Sequence, residues 1–384
     1  MNQIKFTSLV ISRRKITLQA CYNKSVDLWF KFDRDIEVTS TQVALAMATL
    51  CGRVYDYIEF EFEVDSRAVA TISECTGAEV SAHVSEQQRP IATADGNALS
   101  FSGGFDSLAA WKLMPERTQL VSLDFGGWFE REAEFFRKFD TIVISTNVRS
   151  VPSRTTCLTR NHWSFMAIGA ILAAGYLNVK YHTFGQIFGE SMAAAPESSL
   201  RTPLLAEVGY EDAGYARGLT EAGTASIIIQ SEPRLVLDSL KSLAGPRDRK
   251  LYRKTALTAL MAKRLNIEFL SPQVDYENFP KVSFGDDYAT SLAALLLISK
   301  GSGALIEDLL FSIPDEARDL ARNLTFDFVT KVNWDAYHDF PESLKRGLRL
   351  SLERYGFETY SENDWNEVKA TREMLIKYHH AVHS

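Results

Sequence analysis

A chain of 384 residues is too long for one typical domain, and 46% hydrophobic residues, 24% charged residues and only 11 prolines describe a globular protein without long disordered arms. The formal charge of −7 argues against non-specific nucleic-acid binding by the whole surface and leaves room for a local basic patch at most. The four cysteines, Cys21, Cys51, Cys75 and Cys157, stand far apart with no C-x-x-C pair, which disfavours a structural zinc site and a secreted disulfide framework and points to a reducing cytoplasm.

Residues 1–95 read as a small α+β domain for recognition or dimerisation. Strands are expected at Phe6 to Ile11, Ile16 to Ala20 and Asp27 to Phe32, separated by polar turns in the manner of a meander. A helix from Thr39 to Val54 precedes Ile58 to Val64, whose strict alternation requires one buried and one wet face. A second helix follows at Ser66 to Thr76, and Gln87 to Gly96, with Pro90 and Asp95-Gly96, reads as a linker.

From residue 97 to 235 strands and helices alternate, the pattern of a parallel, doubly wound α/β sheet covered on both faces. Strands are expected at Ala98 to Phe101, Gln119 to Phe125, Thr141 to Thr146, Val179 to Phe184 and Ser226 to Gln230, with helices at Asp106 to Met114, Glu130 to Phe139 and His162 to Gly175. The longest apolar run, Phe165 to Leu177, is too short and too rich in Ala and Gly to span a bilayer and reads as a buried helix. With no signal-peptide core among the first residues, no membrane partner is expected, and the localisation expected is cytoplasmic. Residues 236–384 form a helical C-terminal region, with helices at Lys250 to Leu265, Tyr288 to Lys300, Pro314 to Asn323, Pro341 to Tyr355 and Asp364 to His380.

One stretch carries a chemical message. The strand Ala98 to Phe101 runs into Ser102-Gly103-Gly104-Phe105-Asp106-Ser107 and a helix opens at once. Two glycines permit turns closed to other residues and close approach of a ligand, while the first N–H groups and the dipole of the new helix face an anion, with Ser102 and Ser107 adding hydroxyl donors. Neither a Walker A loop nor a dinucleotide fingerprint is present.

Ser-Gly-Gly-Phe-Asp-Ser resembles the SGGxDS loop of the PP-loop ATP pyrophosphatases, whose sheet is of the adenine nucleotide alpha hydrolase kind and which cleave ATP to AMP and pyrophosphate. The resemblance implies that Ser102, Gly103, Gly104, Phe105, Asp106 and Ser107 hold the β- and γ-phosphates, and that Asp106 helps to hold Mg2+. It implies adenine or ribose contacts at Leu123-Asp124-Phe125, where Asp124 is either a sugar-hydroxyl acceptor or simply a capped strand end. Arg160-Asn161 before an alanine-rich helix is similar to the QueC-like branch, named for 7-cyano-7-deazaguanine synthase; Arg160 would stabilise charge on the α-phosphate, or else Asn161 merely caps the helix. In Gly185-Gln186-Ile187-Phe188-Gly189-Glu190, Gly185 and Gln186 occupy the turn, and Glu190 reads as a magnesium ligand, an acid/base group or a solvated carboxylate.

Two departures qualify the likeness. The cysteine cluster that binds structural zinc in QueC has no counterpart, so no structural zinc is expected. The family's lysine after the last strand is missing too, since Ser231-Glu232-Pro233-Arg234 leads on without one; Arg234, Lys241 or the later run Arg247 to Lys254 are the replacements available. On that run Lys250, Arg253 and Lys254 share a helix face, which reads either as a solvated basic face or as a site for pyrophosphate, nucleic acid or an acidic tail. Asp286-Asp287 reads as a helix cap, and His379, His380 and His383 as a frayed end.

The resemblance therefore implies an ATP-dependent ligase that adenylates a carboxylate or amide oxygen, releases pyrophosphate and lets an amine or ammonia displace AMP, with ATP and Mg2+ as cofactors. Its substrate would be a small molecule or a protein terminus, and QueC-like proteins of anti-phage systems, some of which modify a partner protein, extend the range to such a partner. Two rivals stand beside it: a PP-loop sulfur transferase acting on RNA, for which only Cys157 is near in sequence, and a non-catalytic ATP- or AMP-binding module.

Overall fold

The structure, a computed structural model, describes residues 2–86, 94–150, 164–188, 201–245, 247–272, 281–303, 306 and 309–378. In chain order its first part comprises β1 (Gln3–Ile11), β2 (Lys15–Cys21), β3 (Ser25–Phe32), α1 (Ser40–Cys51), β4 (Tyr57–Asp65), α2 (Ser66–Thr76), β5 (Glu79–Ser85), β6 (Ala94–Ser100) and α3 (Phe105–Leu113). There follow β7 (Gln119–Asp124), α4 (Glu130–Phe136), β8 (Thr141–Thr146), α5 (Ile168–Leu177), β9 (Val179–Thr183), α6 (Arg201–Glu207) and β10 (Glu211–Asp212). The remainder is helical: α7 (Glu221–Ser231), α8 (Val236–Leu243), α9 (Arg249–Leu265), α10 (Tyr288–Ser299), α11 (Asp315–Asn323), α12 (Glu342–Arg354) and α13 (Glu362–Tyr378).

Two compact units result. The first contains the described residues of Met1–Ser102, Glu116–Phe184 and Ser198–Ala213; the second contains those of Gly103–Pro115, Gly185–Glu197 and Gly214–Ser384. The expected boundaries at about 95 and 235 are thus not where the chain divides. The reason for the first lies in hydrogen bonding: β3 pairs antiparallel with β8, Phe30 opposite Thr146, so the amino-terminal strands and those after residue 94 share one sheet.

That ten-stranded sheet has the order β10-β9-β6-β7-β8-β3-β2-β1-β4-β5 and makes the first unit α/β and largely parallel. The sequence records the difference between its parts. β7, parallel to both its neighbours, and β8, parallel to β7 and antiparallel to β3, are apolar runs buried almost throughout, whereas β2 in the antiparallel meander alternates buried Ile16, Leu18 and Ala20 with partly exposed neighbours. α1 is buried from Gln42 to Cys51 and starts with a capping box in which Thr39 and Gln42 bond each other's backbone N–H; Gln42 Nε2 also donates to Ile171 O of α5 at 2.9 Å. α5, the buried helix expected within Phe165 to Leu177, ends at Asn178 in the left-handed conformation, φ 45°. Among the described residues no helix is long and apolar enough to cross a membrane.

Three expectations need correction. Glu79–Ser85 is a strand that was not foreseen, its residues alternating too weakly to declare a face. Of the linker Gln87 to Gly96, the described end, Ala94 to Gly96, is the start of β6. Ser226 to Gln230 is helical, lying inside α7, because a short run such as Ile227-Ile228-Ile229 does not distinguish a buried strand from a helix buried on every side. Thr220 decides the matter as an N-cap, accepting the N–H of Gly223 at 3.2 Å.

Phe30, wholly buried in β3, tests the continuity of the sheet. Phe30→Ala is expected to lower stability by about 3–5 kcal/mol, and Phe30→Leu by less than about 1.5 kcal/mol, measured by urea denaturation.

Candidate functional site

The second unit holds a cluster of charges built on four helix segments. α3 opens it. Gly103 takes φ 78°, a left-handed turn suited to glycine, and Gly104 is an extended N-cap without a side-chain cap hydrogen bond. Ser239 of α8, buried, fixes the turn by donating to Gly103 O at 2.8 Å. Ser107 donates its hydroxyl to Gly104 O at 2.9 Å, so its single O–H is spent inside the turn and not on an outside ligand, against the expectation of a second hydroxyl donor. Gly185 explains its own identity: a methyl there would sit 2.5 Å from Ser107 N and 2.8 Å from the carbonyl carbon of Asp106, so the segment lies directly against the first turn of α3.

Asp106 stands in that first turn with its side chain 27% exposed, while Lys254 of α9 is 4% exposed. Lys254 Nζ donates to Asp106 Oδ2 at 2.9 Å, and Thr224 Oγ1 of α7 donates to Asp106 Oδ1 at 2.7 Å. The same ammonium is 3.3 Å from Glu221 Oε1, at the start of α7. Arg253 forks onto Glu221, Nε and Nη2 each 3.1 Å from a carboxylate oxygen. Its Nη1 is 3.5 Å from Asp287 Oδ2, and Asp287 caps α10 by accepting the N–H of Thr290 at 3.3 Å.

Every carboxylate of the cluster occupies the N-cap or first turn of a helix, where the backbone dipole favours negative charge, and both cations come from one turn of α9. The ionisations follow. Burial works to raise the Glu221 carboxyl, but Lys254 and Arg253 outweigh it and hold it at about 2. Burial works against the charge on Lys254 and Arg253, and the carboxylates around them raise both above their ordinary values.

The basic run is therefore not a single solvated face. Arg247 and Lys250 are exposed, while Arg253 and Lys254 are buried and paired. Within that run, Lys254 is the cation that reaches Asp106. Thr224 and Glu221 went unforeseen because a strand reading of Ser226 to Gln230 hides the helix start that positions them. A sign for Lys254 does exist in the sequence, since Leu251, Lys254, Thr258 and Met261 lie on one stripe of α9, and a lysine on a buried stripe needs an acid partner.

The other expected residues lie as follows. Ser102 belongs to the first unit, as does Asp124. Asp124, at the end of β7, accepts from Arg137 Nη2 at 2.6 Å, Ser145 Oγ at 3.3 Å and Gly126 N at 3.0 Å, the arrangement of a capped strand end, so a ribose hydroxyl would compete with three donors. Gln186 is exposed beside Gly185. Asp287 is the helix cap expected of it and also a partner of Arg253. Cys157, Arg160, Asn161, Glu190, His379, His380 and His383 lie outside the described residues. Among the described residues there is no group of three or more His, Cys, Asp or Glu able to hold a metal ion.

Comparison with protein-family models, with curated proteins and with solved structures returned no match.

Two outcomes are expected of the cluster. Lys254→Met leaves Asp106 and Glu221 without their ammonium and costs about 3–5 kcal/mol in denaturation experiments near neutral pH. Glu221, depressed from 4.5 to about 2 on folding, contributes stability that is complete above pH 4.5 and is lost as the pH falls toward 2. Glu221→Gln is expected to flatten the stability profile across that window; a profile as steep as wild type would refute the assignment.

Proposed function

We propose that the turn and helix start from Gly103 to Ser107 receive the polyphosphate of ATP, and that the protein is a PP-loop ATP pyrophosphatase of the QueC-like kind, which adenylates a carboxylate or amide oxygen. One observation carries the reading: a buried lysine stands 2.9 Å from the acid in the first turn of a helix that starts from a glycine turn. A glycine turn, helix N–H groups and a lysine are the elements from which proteins assemble phosphate sites.

The residues fit ATP in chemical kind. Lys254 has described acceptors for two of its three N–H groups, Asp106 and Glu221, which leaves one for a phosphate oxygen. Asp106 is the described residue that would hold magnesium, being an oxygen donor with an accessible side chain, and the ion would supply charge neutralisation for the departing pyrophosphate.

In the reaction the substrate oxygen attacks the α-phosphorus and the bridge to the β-phosphate breaks, with its electron pair leaving on pyrophosphate. An amine then attacks the acyl carbon and AMP departs with the electrons of the C–O bond. The protein's share is positioning and charge stabilisation: the Gly103 turn sets the direction of α3, Ser239 holds that turn, Gly185 permits close packing on it, and Lys254 supplies a fixed positive charge.

Pyrophosphate release from ATP and Mg2+ in the presence of candidate carboxylates and amines tests the reading. Asp106→Asn is expected to slow release by about 100-fold or more while far-UV dichroism stays that of wild type. Release at the wild-type rate from this variant would overturn it.

A further inference from the structure

Beside the charge cluster, and wholly within the second unit, lies a cavity of about 330 Å3. That is the lower end of the roughly 300–1,000 Å3 typical of small-molecule sites. Its walls are apolar along most of their extent, with Leu257 of α9, Ala289 and Leu292 of α10 and Val329 among them. The lining also includes the charged residues Glu221, Arg253 and Asp287.

The charges select the occupant. Arg253 is already shared between two carboxylates, and Lys254 between Glu221 and Asp106. An anion entering the cavity would meet Glu221 and Asp287 beside the one cation of the lining, Arg253, which those two carboxylates already share. The described cluster counts three carboxylates, Asp106, Glu221 and Asp287, against two cations, so one positive charge completes it. The more accessible acid of the lining is Asp287, 28% exposed, which accepts from Thr290 Oγ1 at 2.7 Å and Thr290 N at 3.3 Å and lies 3.5 Å from Arg253, whereas Glu221 is 18% exposed and gripped by the Arg253 fork. An ammonium group at Asp287, with its carbon skeleton along Leu257 and Leu292, satisfies both the apolar and the charged part of the lining.

We infer that this cavity binds a small primary amine as its cation. Its binding stands independently, but its role as the nucleophile that displaces AMP rests on the adenylation reading. In that role the ammonium first gives one proton to the Asp287 carboxylate, so that its nitrogen has a lone pair with which to attack. The position suits that role, because Glu221, which lines the cavity, and Asp106, in the proposed phosphate turn, contact the same ammonium of Lys254.

Calorimetric titration of the full chain at pH 7 without ATP, using benzylamine, benzyl alcohol and phenylacetate, separates the cases. Benzylamine is expected to bind about tenfold or more tighter than the alcohol, and phenylacetate weakest of the three. Asp287→Asn, which preserves the capping ability at α10, is expected to bring the amine down to the affinity of the alcohol while leaving the alcohol unchanged. Ala289→Phe, which fills the cavity from its wall, is expected to abolish binding of both.

Equal affinity for amine and alcohol, tightest binding of phenylacetate, or no heat from any probe at millimolar concentration would each overturn the inference. Amine binding by a protein that releases no pyrophosphate would refute the adenylation reading and leave the cavity assignment standing; pyrophosphate release without amine binding would do the reverse.

Discussion

The second unit is governed by the cost of taking an ammonium and a guanidinium out of water. Lys254 and Arg253 are adjacent on α9 and both are buried, a placement that several kcal/mol of desolvation per ion forbids unless each finds carboxylates in good geometry. The chain meets the demand by directing the starts of α3, α7 and α10 toward one turn of α9, so that Asp106, Glu221 and Asp287 arrive from three different segments. Helix starts serve especially well here, since a carboxylate there is favoured by the backbone before any cation is counted. The segments that carry the chemistry are positioned by the same electrostatic requirement.

Lys254 also makes two places in the unit dependent on one another. Its ammonium touches Asp106 beside the glycine turn and Glu221 at the edge of the cavity. Under the proposed function, a phosphate drawing on that charge would weaken its hold on Glu221, a carboxylate of the cavity lining. The link operates through one side chain over a few ångströms of low-dielectric interior, where such interactions are stronger than in water.

Much of this was legible in the sequence where a single local rule was enough. The glycine turn could be seen because Gly103 and Gly104 fall between an apolar strand and a helix with an acidic first turn, and β7, β8 and α9 were visible through length and periodicity. The failures have a common physical origin. Ile227 to Ile229 are apolar whether they form strand or helix, and only burial on all sides, a tertiary property, separates the two. Asp106 and Lys254 are 148 residues apart, and no local pattern joins them. Reading Lys250, Arg253 and Lys254 as one basic face left the buried pairing of Arg253 and Lys254 unseen. The joining of β3 to β8 was hidden for the same reason, because register between distant strands is settled by packing and not by composition.

The order in which the chain visits its two units has a consequence for inheritance. It passes between them after Ser102, Pro115 and Phe184, again between residues 188 and 201, and after Ala213, so neither unit is a continuous piece of the polypeptide. No single cut releases one of them whole, and a gene fragment encoding either would carry gaps filled by the other. The glycine turn follows the first of these passages and Gly185 the third, so the residues that shape the proposed phosphate site sit at joints of the chain. A protein wired in this way cannot acquire or shed its helical unit as a module. Its two halves are bound to change together, by substitution within a fixed frame rather than by exchange of parts.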